Sequence, residues 1–350
     1  LYHPYDSFTP VVDFLLADAA DPHVLAIKQT LYRVGLDSPV VQALMQAREN
    51  GKEVTALVEL RARFDEENNI QWSKELERAG VHVAYGLVGL KTHAKMCLIV
   101  RREDQRLARY VHLGTGNYNP ATARVYTDLA LLTSNPAIAS DVAMLFNALT
   151  GYAGEHPYRC LMVAPSGVRK GMLDRIERVT ARHRQTGQGY IAFKLNALTD
   201  PACIQALYRA SQAGVTVDLQ IRGVCGLRPG VPGVSDRITV TSLVGRFLEH
   251  SRIFYFRFGE KEEELWMGSA DLMPRNLDGR IEVVFPVEAA HLRQAIRDDI
   301  LFPHLRDTAH LRRMNEQGLY ERVAPQPDEA PLDSQLQMLE QAGTWNQTPH

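Results

Sequence analysis

The 350 residues, 45% of them hydrophobic, exceed one ordinary core, so two domains are expected. With 39 basic residues against 41 acidic ones, no global charge argues for nucleic acid or a membrane surface, and any polyanion must be held by a local basic site. Cys97, Cys160, Cys203 and Cys225 form no metal-binding or CxxC spacing and read as reduced thiols of a cytoplasmic protein, and no apolar run approaches the roughly 20 residues that span a bilayer.

In chain order, the pattern predicts a helix over 11–19, a strand over 24–31, a helix over 39–50, a strand over 54–60 and a helix over 70–79. Short strands follow over 81–85, 95–100, 110–113 and 128–132, then a helix over 137–149. The turn formers of 151–157 read as a linker. A strand over 160–163, a helix over 168–183, a strand over 191–195 and a helix over 201–213 repeat the theme. Further strands are expected over 215–222, 238–240, 252–256 and 281–285, with 261–264 as a solvated turn. This alternation predicts an α/β fold with a sheet covered on both faces. Two domains, 1–155 and 156–322, would precede a weakly packed tail over 323–350, rich in Pro and Gln.

The halves share a pattern. Thr92-His93-Ala94-Lys95 opens one apolar strand and Gly114-Thr115-Gly116-Asn117 follows; Glu249-His250-Ser251-Arg252 opens another and Gly268-Ser269-Ala270-Asp271 follows. Asp128 lies 11 residues after Asn117, and Glu282 lies 11 after Asp271. The two histidines are 157 positions apart, about one domain. On a strand His93 and Lys95 share a side, so an imidazole can attack phosphorus while an ammonium neutralises oxygen. The Gly-Thr-Gly turn would offer backbone N–H groups and Asn117 an amide donor. Asp128 would hold the other nitrogen of a histidine; His250 would act as acid or base and Arg252 as a planar phosphate fork. His82 and His112 read as core histidines, and His23, His183, His304 and His310 as surface ones.

At these residues the sequence resembles the phospholipase D superfamily, whose halves each supply a His-x-Lys half-site. Val100 and Arg257 stand where the hydrolase pattern wants an Asp, and Arg252 replaces the second Lys. The polyphosphate kinase branch is the closer resemblance. It is carried by Val24-Leu-Ala-Ile-Lys-Gln-Thr-Leu-Tyr-Arg33, Val58-Glu-Leu-Arg-Ala-Arg-Phe-Asp-Glu-Glu-Asn68, Leu90-Lys-Thr-His-Ala-Lys95 and His112-Leu-Gly-Thr-Gly-Asn117. Thr122-Ala-Arg-Val-Tyr-Thr-Asp128, Phe247-Leu-Glu-His250, Ser269-Ala-Asp271 and Arg280-Ile-Glu282 extend it.

That resemblance implies two tandem phospholipase D-like α/β/α domains with the active site between them. It implies reversible transfer of the ATP γ-phosphate to inorganic polyphosphate through a phosphohistidine on His93, with His250 assisting. Lys95, Asn117, Arg252, Asp271, Arg280 and Glu282 join the catalytic set; Tyr126, Arg222 and His250 match nucleotide contacts. Arg33 and Arg63 match the magnesium–phosphate site, where an arginine, having no lone pair, suits a phosphate clamp beside Mg²⁺ better than a ligand. The expected partners are ATP or ADP and polyphosphate, not nucleic acid; the full-length protein would be a homo-oligomer, and membrane association is left open. An N-terminal domain and a helical head domain would precede Leu1, so the chain reads as a fragment. The rival readings are a phospholipase D-like phosphodiesterase and a catalytically silent polyphosphate-binding fragment.

Overall fold

The computed structural model describes residues 1–35, 37–62, 65–151 and 157–345. The chain divides into two compact units, Leu1–Val163 with Gly279–Phe285, and Ala164–Asp278 with Pro286–His350. The expected second domain is therefore not one run of sequence, because seven of its residues return to the first unit. Most of the expected linker over 151–157 lies outside the described residues.

The first unit is built on β1 (Tyr2–His3), β2 (Val24–Leu31), β3 (Glu53–Val58), β4 (His82–Ala84), the short β5 (Lys91–Thr92), β6 (Lys95–Glu103), β7 (Arg106–Gly114) and β8 (Tyr126–Thr133). The sheet order is β1-β8-β7-β6-β2-β3-β4. Strands β2, β3 and β4 are parallel, whereas β6, β7, β8 and β1 join antiparallel. The helices α1 (Thr9–Ala20), α2 (Pro39–Glu49), α3 (Glu66–Arg78) and α4 (Pro136–Leu149) cover it. Their starts are written locally. Ser38 accepts the Val41 N–H with Pro39 in the first turn, and Asn135 accepts from Ala137 and Ile138 with Pro136 behind it. Val40, Val41, Ala43, Leu44 and Ala47 then form the apolar stripe of α2, packed with Ile27, Val54, Ala56 and Ile99 in the core. Met162–Val163 (β9) closes the first run of this unit.

The second unit repeats the plan with β10 (Tyr190–Leu195), β11 (Thr216–Ile221), β12 (Ile238–Leu243), β13 (Leu248–Glu249), β14 (Ile253–Arg257) and β15 (Glu263–Gly268). Between them lie α5 (Val168–Thr186) and α6 (Pro201–Gln212), the latter capped by Asp200 on the Cys203 N–H. Next come β16 (Arg280–Ile281) and β17 (Val283–Pro286). The single strand expected over 281–285 is thus broken at Glu282. Ile281 pairs with Thr92 of β5, and Val283 with Val163 of β9, both within the first unit. With β18 (Leu311–Met314) and β19 (Tyr320–Arg322), the strands of this unit run in the order β19-β18-β12-β11-β10-β14-β15. Phe193 meets Phe254 and Phe256 at 5.3 Å in its core.

Two expectations fail here. The stretch 261–264 is not only a turn: Glu263 and Glu264 begin β15 and take Arg293, Arg297 and Arg175 as partners. The segment after Arg322 has no helix or strand over 323–333, which is mostly exposed, but the expectation fails over Ser334–Glu340, a helix with Ser334, Gln335 and Met338 buried. Its Pro-rich lead-in hides the apolar stripe from a compositional reading.

Candidate active site

In the first unit the parallel strands β2 and β3 end at one sheet edge. Strand β6, antiparallel to β2 with Cys97 opposite Gln29, starts there. Such carboxyl ends are where α/β sheets place their chemistry. The residues just before β6 are fixed by main-chain bonds: the N–H groups of His93 and Ala94 both donate to the Ile281 carbonyl, at 2.9 and 3.0 Å. The next residue, Glu282, is fully buried and sets Oε2 2.8 Å from His93 Nδ1. An ionised carboxylate only accepts, so in the neutral ring Nδ1 carries the proton and Nε2 keeps its lone pair.

Tyr32, immediately after β2, packs edge-on against the His93 ring at 4.8 Å between centroids, and Lys95 Nζ lies 4.9 Å from the same tyrosine ring. His93 and Lys95 therefore share a face, as the strand alternation predicts. Lys95 is 2% exposed and its ammonium donates to the His93 carbonyl. Buried Glu59, after β3, accepts the Thr92 N–H at 2.8 Å, and Asn69 donates to the carbonyls of Tyr32 and Glu59. Tyr32, Glu59 and Asn69 are supports that the motif reading did not single out; Tyr32 and Glu59 follow directly on parallel strands, whereas Asn69 sits in the first turn of α3.

Other expected residues take different places. The carboxylate on His93 is Glu282, not Asp128. Asp128 pairs across the sheet with His3 and accepts from Thr115 Oγ1 at 2.7 Å. The Thr115 N–H is not offered to a ligand, since it donates to the Leu129 carbonyl. Asn117 Oδ1 is buried without a hydrogen-bond partner among the described residues. Tyr126 begins β8 half-buried, Arg33 lies 5.4 Å from the Tyr32 ring, and Arg280 Nη1 stands 3.8 Å from Glu282 Oε1. Arg63 lies outside the described residues. His112 is a core histidine bonded to Tyr118, its pKa pushed down to about 3 chiefly by burial, with the His3 and N-terminal charges adding. His82, expected in the core, is exposed.

The second unit arranges its motif at the matching sheet edge, where β10 and β11 end and β14 begins. Arg252, 3% exposed, grips Asp271 through Nη2 at 3.0 Å and Nε at 3.3 Å. Its Nη1 faces the His250 ring nitrogens at 3.2 and 3.4 Å. The expectation of a phosphate fork at Arg252 is corrected accordingly: its fork is turned on a buried carboxylate. Burial pushes the Asp271 carboxyl up, but Arg252, the Asn196 N–H and His250 outweigh it and hold it below the usual range. Asn196, just after β10 as Tyr32 is just after β2, donates from its amide to the His250 carbonyl at 3.2 Å and accepts from Arg222 Nε at 2.9 Å. One side chain thus ties together two residues that the sequence singles out. His304, expected at the surface, is fully buried.

Magnesium prefers oxygen ligands in octahedral array. The guanidinium of Arg33 has no lone pair, and among the described residues no group of three or more His, Cys, Asp or Glu could hold a metal ion. Among the described residues the donors form no all-protein cage for a cation, so such an ion would take most of its ligands from bound phosphates and water.

Residues 1–155 match the family model of polyphosphate kinase C-terminal domain 1, and residues 161–335 that of polyphosphate kinase C-terminal domain 2. A polyphosphate kinase of Prosthecochloris aestuarii is 56% identical over 342 residues, which cover 97% of this chain and 47% of that protein. The crystal structure of polyphosphate kinase from Porphyromonas gingivalis matches with a TM-score of 0.89 at 38% identity, over 97% of this chain and 52% of that one. Phosphatidylserine synthase of Haemophilus influenzae matches at a TM-score of 0.57 and 10% identity, over 96% and 91% of the two chains, which speaks for a shared fold. The chain spans about half the length of the polyphosphate kinases it matches.

Proposed function

This chain belongs to the polyphosphate kinase family, and on that premise we propose that it carries the phosphoryl-transfer centre that exchanges phosphate between ATP and inorganic polyphosphate. The observation that carries the reading is the buried Glu282 carboxylate 2.8 Å from His93 Nδ1. A proton held on Nδ1 leaves Nε2 as the nucleophile. It attacks the γ-phosphorus in line, an N–P bond forms, and the bond to the β,γ-bridging oxygen breaks with its electron pair leaving on ADP. Phosphorylation at Nε2 makes the ring cationic, and Glu282 compensates that charge. The terminal phosphate of polyphosphate then takes the phosphoryl group from His93, with His250 managing a proton; the reverse sequence makes ATP. Lys95, Arg33, Arg63, Arg222 and Arg280 spread the charge of the loose transition state, Asn117 and Tyr126 contact the substrates, and the Arg252–Asp271 pair holds His250 in place. Mg²⁺ enters as Mg-ATP, with its ligands from phosphates and water. A homo-oligomer in the cytoplasm completes the reading.

The test is incorporation of label from γ-labelled ATP into the chain alone and into the protein that carries it. Acid-labile, base-stable label absent from His93→Ala is the expected result. No label in either would sink the phosphohistidine step, and a diesterase assay would follow.

A further inference from the structure

The segment bearing His250 is held from behind by the last helix of the chain. Gln335, the second residue of that helix, is 2% exposed, and its side-chain amide makes a two-way pair with Phe247. Its Oε1 accepts the Phe247 N–H at 2.9 Å, and its Nε2 donates to the Phe247 carbonyl at 2.9 Å. The same Nε2 donates to Glu249 Oε1 at 2.6 Å. The fit leaves no slack, since a Cβ on Gly245 would stand 2.5 Å from Gln335 Oε1.

The residues on both sides of His250 are caught in one buried network. Glu249, 3% exposed, lies 2.7 Å from Lys194 Nζ and 3.3 Å from His304 Nε2, and Lys194 also donates to Ser251 Oγ at 2.6 Å. The helix is itself anchored: Ser334 donates to Asp307 through its N–H and hydroxyl, both at 2.8 Å, and Met338 is fully buried. A buried ionic cluster of this kind is a poor source of stability compared with apolar packing, but it fixes geometry. The groups that it fixes are Phe247, Glu249 and Ser251, which bracket a partly exposed histidine.

We propose that Gln335 is a positioning residue for His250, so that the C-terminal helix is a working part of the half-site. This rests on the reading of His250 as the second active histidine. The test uses Gln335→Met in the protein that carries this chain; it keeps the volume and removes all three hydrogen bonds. Gly245→Ala displaces the amide from the opposite side. A misplacement of about an ångström costs up to roughly a hundredfold in rate, so kcat should fall about ten- to a hundredfold with KM for ATP little changed. In a His250→Ala background neither substitution should reduce the rate further, because residues acting through one another are not additive. Equal losses in both backgrounds, or none in either, would overturn the proposal. The imidazole resonances of His250, identified by their loss in His250→Ala, give a readout that needs no activity. Gln335→Met should shift them and leave those of His93 in place. Unmoved His250 resonances would refute the positioning role, even were the kinase reading correct. Shifted resonances in a protein without phosphoryl transfer would sustain it while the kinase reading failed.

Discussion

Replacing Glu282 by Gln removes one charge at constant shape. The carboxylate is fully buried, 2.8 Å from His93 Nδ1, with Arg280 as a neighbour at 3.8 Å. A hydrogen bond to an ionised partner contributes about 1.5–3 kcal/mol, and the amide keeps only the neutral part of it. The amide can also rotate and donate to Nδ1, which would move the ring proton to Nε2 and remove the attacking lone pair. The difference is about 1–1.5 kcal/mol, so at about 1.4 kcal/mol per decade the rate of histidine phosphorylation should fall roughly five- to tenfold, and further wherever the amide donates to Nδ1. Rapid-quench labelling with γ-labelled ATP measures this step apart from polyphosphate growth. Thermal melting of the variant separates lost chemistry from lost fold. A variant that labels within about threefold of wild type, while His93→Ala does not label, would refute the assignment of tautomer and charge to Glu282.

Asp271→Ala would strand Arg252 as a buried cation and should cost about 3–5 kcal/mol in a denaturant titration, whereas Arg252→Met with Asp271→Leu should recover most of it. If Asp271→Ala unfolds at the wild-type midpoint, the pair is not buried in solution. His112 is held neutral down to about 3 in the fold, against 6.5 when exposed. The unfolded chain takes up this proton first as pH falls, so the stability is present above about 6.5 and erodes towards 3, by up to roughly 1.4 kcal/mol per pH unit. Urea midpoints between pH 7 and 4 should drop less steeply in His112→Gln, and an unchanged slope would count against a buried neutral imidazole.

The regular elements were legible because their starts are written locally. Ser38-Pro39, Asn135-Pro136 and Asp200-Pro201 announce helices by capping chemistry, and the strands of both cores announce themselves as apolar runs. The two half-sites were legible as a repeat. Partner choice was not, since Asp128 and Glu282 stand at the same spacing in their copies. Which of them faces His93 is settled by the return of β16 to β5, a contact across 189 positions. Arg252 reads as a phosphate fork only until its fork is seen on Asp271. Lys194, Glu249 and His304 look like ordinary strand and helix residues, since nothing local marks a charge whose partner lies more than fifty positions away. Asn196 and Tyr32 carried a readable signal, the first position after a parallel strand, though neither was singled out.

The return of Gly279–Phe285 to the first unit also sets an order of events during synthesis. When Val163 leaves the ribosome the first sheet has its strands from β1 to β8, but the Ile281 carbonyl and the Glu282 carboxylate do not yet exist. At roughly 5–20 residues per second they follow after on the order of 6–24 seconds, with most of the second unit made in between. His93 therefore cannot acquire its carboxylate until most of its neighbour has been translated. A gene cut between residues 155 and 161, where the family models part, encodes two pieces of which the first lacks its own acid.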